Sequence, residues 1–68
     1  MTQVEQVLEY IREHGSITQR QAAADLGIMR LASRVSDLKR LGYPILSETV
    51  VVKARNGRST YVKRYMLP

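Results

Sequence analysis

The sequence predicts an α+β domain in which three helices are followed by a two-stranded β-hairpin. Two observations carry this prediction. Through the first 42 positions, apolar residues recur at the three- and four-residue spacing of amphipathic helices. The remaining residues are rich in β-branched and aromatic types on both sides of an Asn-Gly pair, which is a strong hairpin signal. A chain of 68 residues is predicted to form one domain, spanning residues 1–68.

The first helix is predicted to begin after Thr2. Glu5 follows three residues later, so the two residues can form a capping box, in which each side chain accepts a hydrogen bond from the other residue's backbone N–H. Gly15 is expected to end the helix in the left-handed conformation. The apolar residues of this helix follow the i, i+3, i+4, i+7 rule and are expected on one buried face: Val4, Val7, Leu8 and Ile11.

Two further helices are predicted on either side of a glycine turn. Thr18 and Gln21 repeat the capping-box spacing and begin the second helix, and Gly27 supplies the positive φ of the turn that follows it. Met29 stands where a Ser or Thr cap is usual, so the third helix is expected either to begin later or to be frayed at its N-terminus. Gly42 is expected to end that helix. Its apolar face is predicted to contain Leu31, Val35 and Leu38, with Leu41 at the flank.

The hairpin is predicted to consist of strands at 45–53 and 60–67, joined by a turn at 54–59. The segment before the second helix, residues 16–18, is too short for more than a bridge strand. Tyr61 and Tyr65 lie on the same face of the returning strand and could stack on unpaired bases. For Tyr65 we favour packing against the third helix as part of the core.

Charge is distributed unevenly within the net value of +5. Residues 1–28 contain two basic and four acidic residues, whereas residues 29–68 contain nine basic and two acidic residues. A chain with one strongly positive part is suited to the phosphate backbone of a nucleic acid. A basic surface that serves only solubility is the alternative.

Composition also indicates which kinds of chemistry to exclude. The chain has no cysteine and one histidine, His14, so we expect neither a disulfide framework nor a metal site. No nucleophile–base pair is evident, so we expect no catalysis and no cofactor. There is no run of 18 apolar residues and no secretory signal pattern, which predicts a soluble, cytoplasmic protein without membrane contact.

The order of elements and two residue patterns together resemble a known family. The first pattern is Gly27-Ile28-x-Arg30-Leu31-Ala32-x-Arg34-Val35-x-Asp37-Leu38-x-x-Leu41-Gly42-Tyr43-x-Ile45, and the second is Lys63-Arg64-Tyr65-x-Leu67. They resemble the small winged helix-turn-helix DNA-binding proteins of bacteriophages and prophages. That resemblance implies a transcription regulator or an excisionase-like accessory factor. It also implies that the third helix enters the major groove and that the hairpin, the wing, touches the backbone or the minor groove.

The candidate DNA-binding residues lie on the third helix and on the wing. On the helix they are Arg30, Ser33, Arg34, Asp37 and Arg40, among which Arg30 and Arg34 are the best candidates for reading bases. On the wing they are Lys53, Arg55, Asn56, Arg58 and Lys63, which can contact phosphate or enter the minor groove. The alternatives are a solvated helix face with an Arg34–Asp37 pair, and a charged turn that keeps the hairpin soluble.

The predicted partner is double-stranded DNA, and a homodimer or adjacent copies on a repeated site would add contacts that one small domain lacks. No small-molecule ligand is evident. The rival hypothesis is a winged-helix protein-interaction module that binds a host or phage protein. A basic third helix and wing favour DNA, whereas an exposed apolar patch would favour a protein partner.

Overall fold

The computed structural model describes residues 2–68. It contains three helices and a small antiparallel sheet, so the predicted α+β fold is confirmed. Helix α2 consists of an α-helical turn, Gln19–Gln21, that continues directly into a π-helical segment, Ala22–Leu26. The other elements are α1 (Gln3–His14), β1 (Ile17–Thr18), α3 (Leu31–Arg40), β2 (Leu46–Lys53) and β3 (Ser59–Met66).

Local sequence signals set the ends of the first two helices as predicted. The Thr2 hydroxyl accepts from Glu5 N at 3.2 Å, and the Thr18 hydroxyl accepts from Gln21 N at 3.2 Å, each within a complete capping box. Gly27 ends α2 at φ 68°, in the left-handed region that an L side chain rarely adopts. The second half of α2 differs from the ordinary short helix expected, because its backbone hydrogen bonds span five residues instead of four, as in Gly27 N to Ala22 O.

The sheet has three strands in the order β1-β3-β2, one more than the predicted hairpin. β1 is the short bridge segment, and Ile17 pairs with Tyr65 of β3. β2 and β3 pair from Leu46–Met66 to Lys53–Ser59. Strand β3 of the wing is therefore also hydrogen-bonded to β1, the segment between α1 and α2, and this pairing fixes the wing relative to the helices.

The core forms between the three helices and the residues that join them to the sheet. Leu41, at the flank of α3, is 68% exposed because it follows the last helical residue, Arg40, and lies outside the core. Tyr65 packs partly against the core, as predicted, and so does Leu67. The buried residues are Val7, Leu8, Ile11, Ile17, Ala22, Ile28, Leu31, Val35, Leu38 and Ile45.

Candidate nucleic-acid interface

The start of α3 is held by a side chain from α2. Helix α3 begins at Leu31, and Arg30 at the cap position provides no side-chain hydrogen bond. The side chain of Gln19 supplies the capping hydrogen bond instead. Gln19 Oε1 accepts from Leu31 N at 2.9 Å, and Gln19 Nε2 donates to Ile28 O at 3.0 Å. One amide thus satisfies two backbone groups that the turn would otherwise leave unpaired. Sequence reasoning missed Gln19, although the missing cap at Met29 indicated that another donor or acceptor was needed.

The polar residues of α3 form a short charged row. Asp37 forms an ion pair with Arg34, with Nη2 3.2 Å from Oδ2, and accepts a hydrogen bond from Arg40 Nη2 at 2.9 Å. The alternative Arg34–Asp37 pair is therefore present, with a second arginine added. Two guanidinium groups share one carboxylate, so this row keeps a net positive charge despite Asp37. Arg30 is exposed and Ser33 is half-buried.

The Arg34 guanidinium is incompletely paired within the domain. Its Nε is buried and has no partner among residues 2–68. A pair such as Arg34–Asp37, about one-third exposed, is worth about 0–1 kcal/mol, whereas a bidentate arginine–guanine contact is worth about 1–3 kcal/mol. The free energy gained by Arg34 from a base contact would therefore exceed the free energy lost when its ion pair with Asp37 breaks.

The wing presents its basic residues without internal partners. Lys53, Arg55, Arg58 and Lys63 are exposed and make no ion pair within the described part of the chain. The wing's remaining basic residue, Arg64, is paired with Glu48 across the strands. Unpaired cations on a projecting hairpin keep their full charge available to phosphate groups.

Asn56 has a structural contact within the tip of the wing. Its Oδ1 accepts from Arg58 N at 3.0 Å, while Gly57 N donates to Ala54 O at 3.0 Å and takes φ 79°. This is a β-turn followed by a left-handed glycine, a usual way to close a short hairpin loop. The Asn56 side chain orders the backbone that carries Arg55 and Arg58, and its amide nitrogen stays available.

A groove of about 320 Å³ separates the wing from the helices. It lies between the starts of α2 and α3 on one side and strand β3 on the other. Its walls include Gln19, Arg20, Ala32, Tyr61, Lys63 and Tyr65. Sequence reasoning did not select Arg20, and no local pattern could have done so, because only the tertiary fold brings α2 beside β3.

Comparison with known protein families gives a match over nearly the whole chain. A family model described as a winged helix-turn-helix domain matches residues 2–68. The chain belongs to the winged helix-turn-helix domain family. Such domains are typically DNA-binding and non-enzymatic, so family membership suggests a DNA partner. Neither a curated protein nor a solved structure matches the chain.

In this winged helix-turn-helix domain four of the six acidic residues are on α1 and α2, whereas Asp37 is on α3 and Glu48 is on the wing. Glu5, Glu9 and Glu13 recur every four residues along α1, which places them in one row. Asp25 of α2 accepts a hydrogen bond from the Tyr10 hydroxyl at 2.6 Å. That bond, with smaller contributions from partial burial and from the nearby negative charge, raises the pKa of Tyr10 above its ordinary value of 10.0. Most carboxylates thus lie away from the candidate interface.

The helices and the metal-ligating residue types within residues 2–68 bear on two other kinds of site. No helix there is both long and apolar enough to cross a membrane. Over the same range, no cluster of three or more His, Cys, Asp or Glu side chains is arranged to hold a metal ion.

Proposed function

We propose that the chain binds double-stranded DNA, with α3 in the major groove and the wing on the backbone or in the minor groove. The observation that carries the proposal is the set of exposed cations on the wing that have no carboxylate partner. Lys53, Arg55, Arg58 and Lys63 can each replace a counterion on the phosphate backbone. Asn56, at the tip between two of them, can add a hydrogen bond.

On α3 the proposed division of roles follows from position and pairing. Arg30 precedes the helix and is exposed, so it can reach a base or a phosphate without breaking an ion pair. Arg34 reads a base edge by exchanging Asp37 for it. Ser33 allows close approach because its side chain is short. Arg40, 78% exposed at the end of the helix, contacts the backbone, and Asp37 orients both of its arginines.

The proposed role is that of a small transcription regulator or excisionase-like accessory factor of a phage or prophage. It acts by binding, without catalysis or a cofactor. Its location follows from the proposed partner, since bacterial and phage DNA is in the cytoplasm. One domain of this size offers few base contacts, so specific binding would use a homodimer or adjacent copies on a repeated site.

A protein-interaction role is the second candidate, and one observation favours it. Strand β2 is at the edge of the sheet and exposes Leu46, Val51 and Val52. Apolar side chains on an open edge strand are suited to pairing with a strand of another protein. The flanking charges of the wing favour DNA over this alternative.

Salt dependence tests the DNA proposal. If about 4–6 cations neutralise phosphates, the slope of log K against log salt should be about −4 to −5 on nonspecific duplex DNA, measured by fluorescence anisotropy. Arg58→Ala should reduce the steepness by about one. Arg12→Ala is the matched control, because Arg12 is an exposed, unpaired cation on α1, and it should leave the slope unchanged. Absence of binding at ~50 mM salt would favour the protein partner instead.

A further inference from the structure

The groove between β3 and the helices combines three features, and of the residues that form them the proposed duplex contacts use only Lys63. The groove has an aromatic wall, an apolar floor and two cations at its rim. The floor is formed by Ala32 at the start of α3 together with the half-buried Tyr65, and the fully buried Leu31 lies behind them. The cations are Arg20 of α2 and Lys63 of β3, which make no ion pair among residues 2–68.

Tyr61 forms the aromatic wall and is 72% exposed. It is paired across the strands with Val51, which is also exposed, and the strand register puts Tyr61 on the same face as Lys63 and Tyr65. An aromatic ring that is not needed in the core, and that stands beside cations, is the arrangement used to stack an unpaired base.

We propose that this groove binds one unpaired nucleotide of DNA. The base stacks on Tyr61 over the apolar floor, and the adjoining phosphates contact Arg20 and Lys63. This inference rests on the proposed function and deepens it: the preferred ligand is a duplex with an unpaired nucleotide next to the site bound by α3.

The dimensions and lining of the groove favour a nucleotide over other parts of DNA. A volume of about 320 Å³ accommodates a single nucleotide, but a duplex is far too wide to enter it. A phosphate group placed against Ala32 and Tyr65 would lose part of its hydration and gain no hydrogen bond from these apolar surfaces in return. A base offers a flat apolar face to the floor and ring, while its phosphate stays at the charged rim.

Gln19 and Thr18 supply hydrogen bonds at the edge of the groove. The Gln19 amide donates one N–H to Ile28 O and accepts a hydrogen bond from Leu31 N, so its second N–H remains free to donate. The Thr18 hydroxyl accepts from Gln21 N and can still donate its proton. Both groups lie on the groove wall and can meet the edge of a stacked base.

The test compares a blunt duplex with the same duplex carrying a single-stranded thymidine extension at one end. Stacking of one base on an aromatic ring gives roughly 5- to 150-fold in affinity, so the wild type should prefer the extended duplex by a factor in this range. Tyr61→Ala should lose the preference and keep its affinity for the blunt duplex, whereas Tyr61→Phe should retain both. Thr60→Ala is the control, because Thr60 is the neighbouring residue on the opposite face of β3.

A fluorescent base gives a second readout. The chain has no tryptophan, so 2-aminopurine at the first unpaired position can be excited without interference from the protein. Its emission should fall on binding to the wild type and to Tyr61→Phe, and should not fall with Tyr61→Ala. Equal wild-type affinity for the two duplexes, or a preference that survives Tyr61→Ala, overturns the nucleotide site and leaves duplex binding intact. Failure to bind either duplex overturns the proposed function as well.

Discussion

The helical body and the wing differ in what holds them together. Among residues 2–68, every buried residue lies between Val7 and Ile45, in the helices and the segments that join them. Strands β2 and β3 contain none, and the outer part of the wing is held by backbone pairing between the two strands. Four of the exposed, unpaired cations are on this less buried part.

Because of this difference, substitutions in the helices and substitutions in the wing should affect different properties, folding stability and ligand binding respectively. Apolar burial is the main source of folding free energy, so changes in the body should act on unfolding. The wing adds charge and shape with little burial, so changes there should act on the ligand and leave the melting temperature almost unchanged. The following predictions test this separation, from the largest expected effect to the smallest.

The largest effect is expected for a core leucine of α3. Leu38 is 0% exposed, and Leu38→Ala should destabilise the domain by about 2–5 kcal/mol, through lost burial and a residual cavity. Leu41→Ala is the matched control on the same segment and should change stability by no more than about 0.5 kcal/mol. Thermal melting followed by circular dichroism measures both. Equal losses for the two variants would contradict the position of the core described above.

The turn glycines provide a paired test. Gly27→Val should cost about 1–3 kcal/mol through backbone strain alone, because φ is 68° and no atom lies within 4 Å of an added Cβ. Gly27→Asn should cost less, since asparagine tolerates this conformation better. Gly57→Val introduces the same kind of strain at the tip of the wing. It should weaken DNA binding while lowering the melting temperature less than Gly27→Val does. If Gly57→Val instead unfolds the domain like Gly27→Val, body and wing are not separable.

Loss of a base contact should change the DNA sequence preference, whereas loss of a phosphate contact should lower the affinity for every sequence. Arg34→Ala should relax base preference at one position, at a cost of about 1–3 kcal/mol, because Arg34 is on the helix proposed for the major groove. Arg58→Ala should keep the preferred sequence and weaken binding to all sequences alike. Selection from a randomised duplex library with wild type and both variants distinguishes these results. A motif that survives Arg34→Ala but disappears with Arg58→Ala would make the wing the reader.

The smallest effect is expected at Tyr10, on the body. The raised pKa means that folding favours the protonated phenol, so this contribution to stability is present below pH 10.0 and disappears as the pH rises through the raised pKa. Tyr10→Phe should lower the free energy of unfolding slightly at neutral pH, and the gap from the wild type should close in strong alkali. Urea denaturation at several pH values measures it. A gap that widens above pH 10.0 would contradict the Tyr10–Asp25 hydrogen bond.

Local features of the fold could be predicted from the sequence because each depends on neighbours in the chain. The capping boxes at Thr2 and Thr18 need a partner only three residues away, and Gly27 needs only its own backbone freedom. The pairing of Ile17 with Tyr65 was not predicted, because it joins distant segments and two residues carry too weak a strand signal. The π-helical half of α2 likewise has no distinct signature in its run of alanines.

For the candidate interface too, some contacts between residues near in sequence could be predicted, whereas contacts that depend on the tertiary fold could not. Charged residues on α3 and the wing could be selected from composition and order, and the Arg34–Asp37 pair from its spacing. Sharing of Asp37 with Arg40 was not foreseen, since spacing alone does not say which of two arginines will use a carboxylate. The position of Arg20 opposite Lys63 depends on how the sheet packs on the helices, which no local pattern encodes.

The hydrogen bonds of Gln19 have a consequence for how DNA preference can change. Because α2 provides the cap for α3, no residue of α3 is reserved for starting that helix. Positions 29 and 30, at its leading end, can therefore vary without loss of the helix start. Under the proposed function, the DNA target of the domain can then be changed by substitutions on α3 alone, provided that Gln19 is kept.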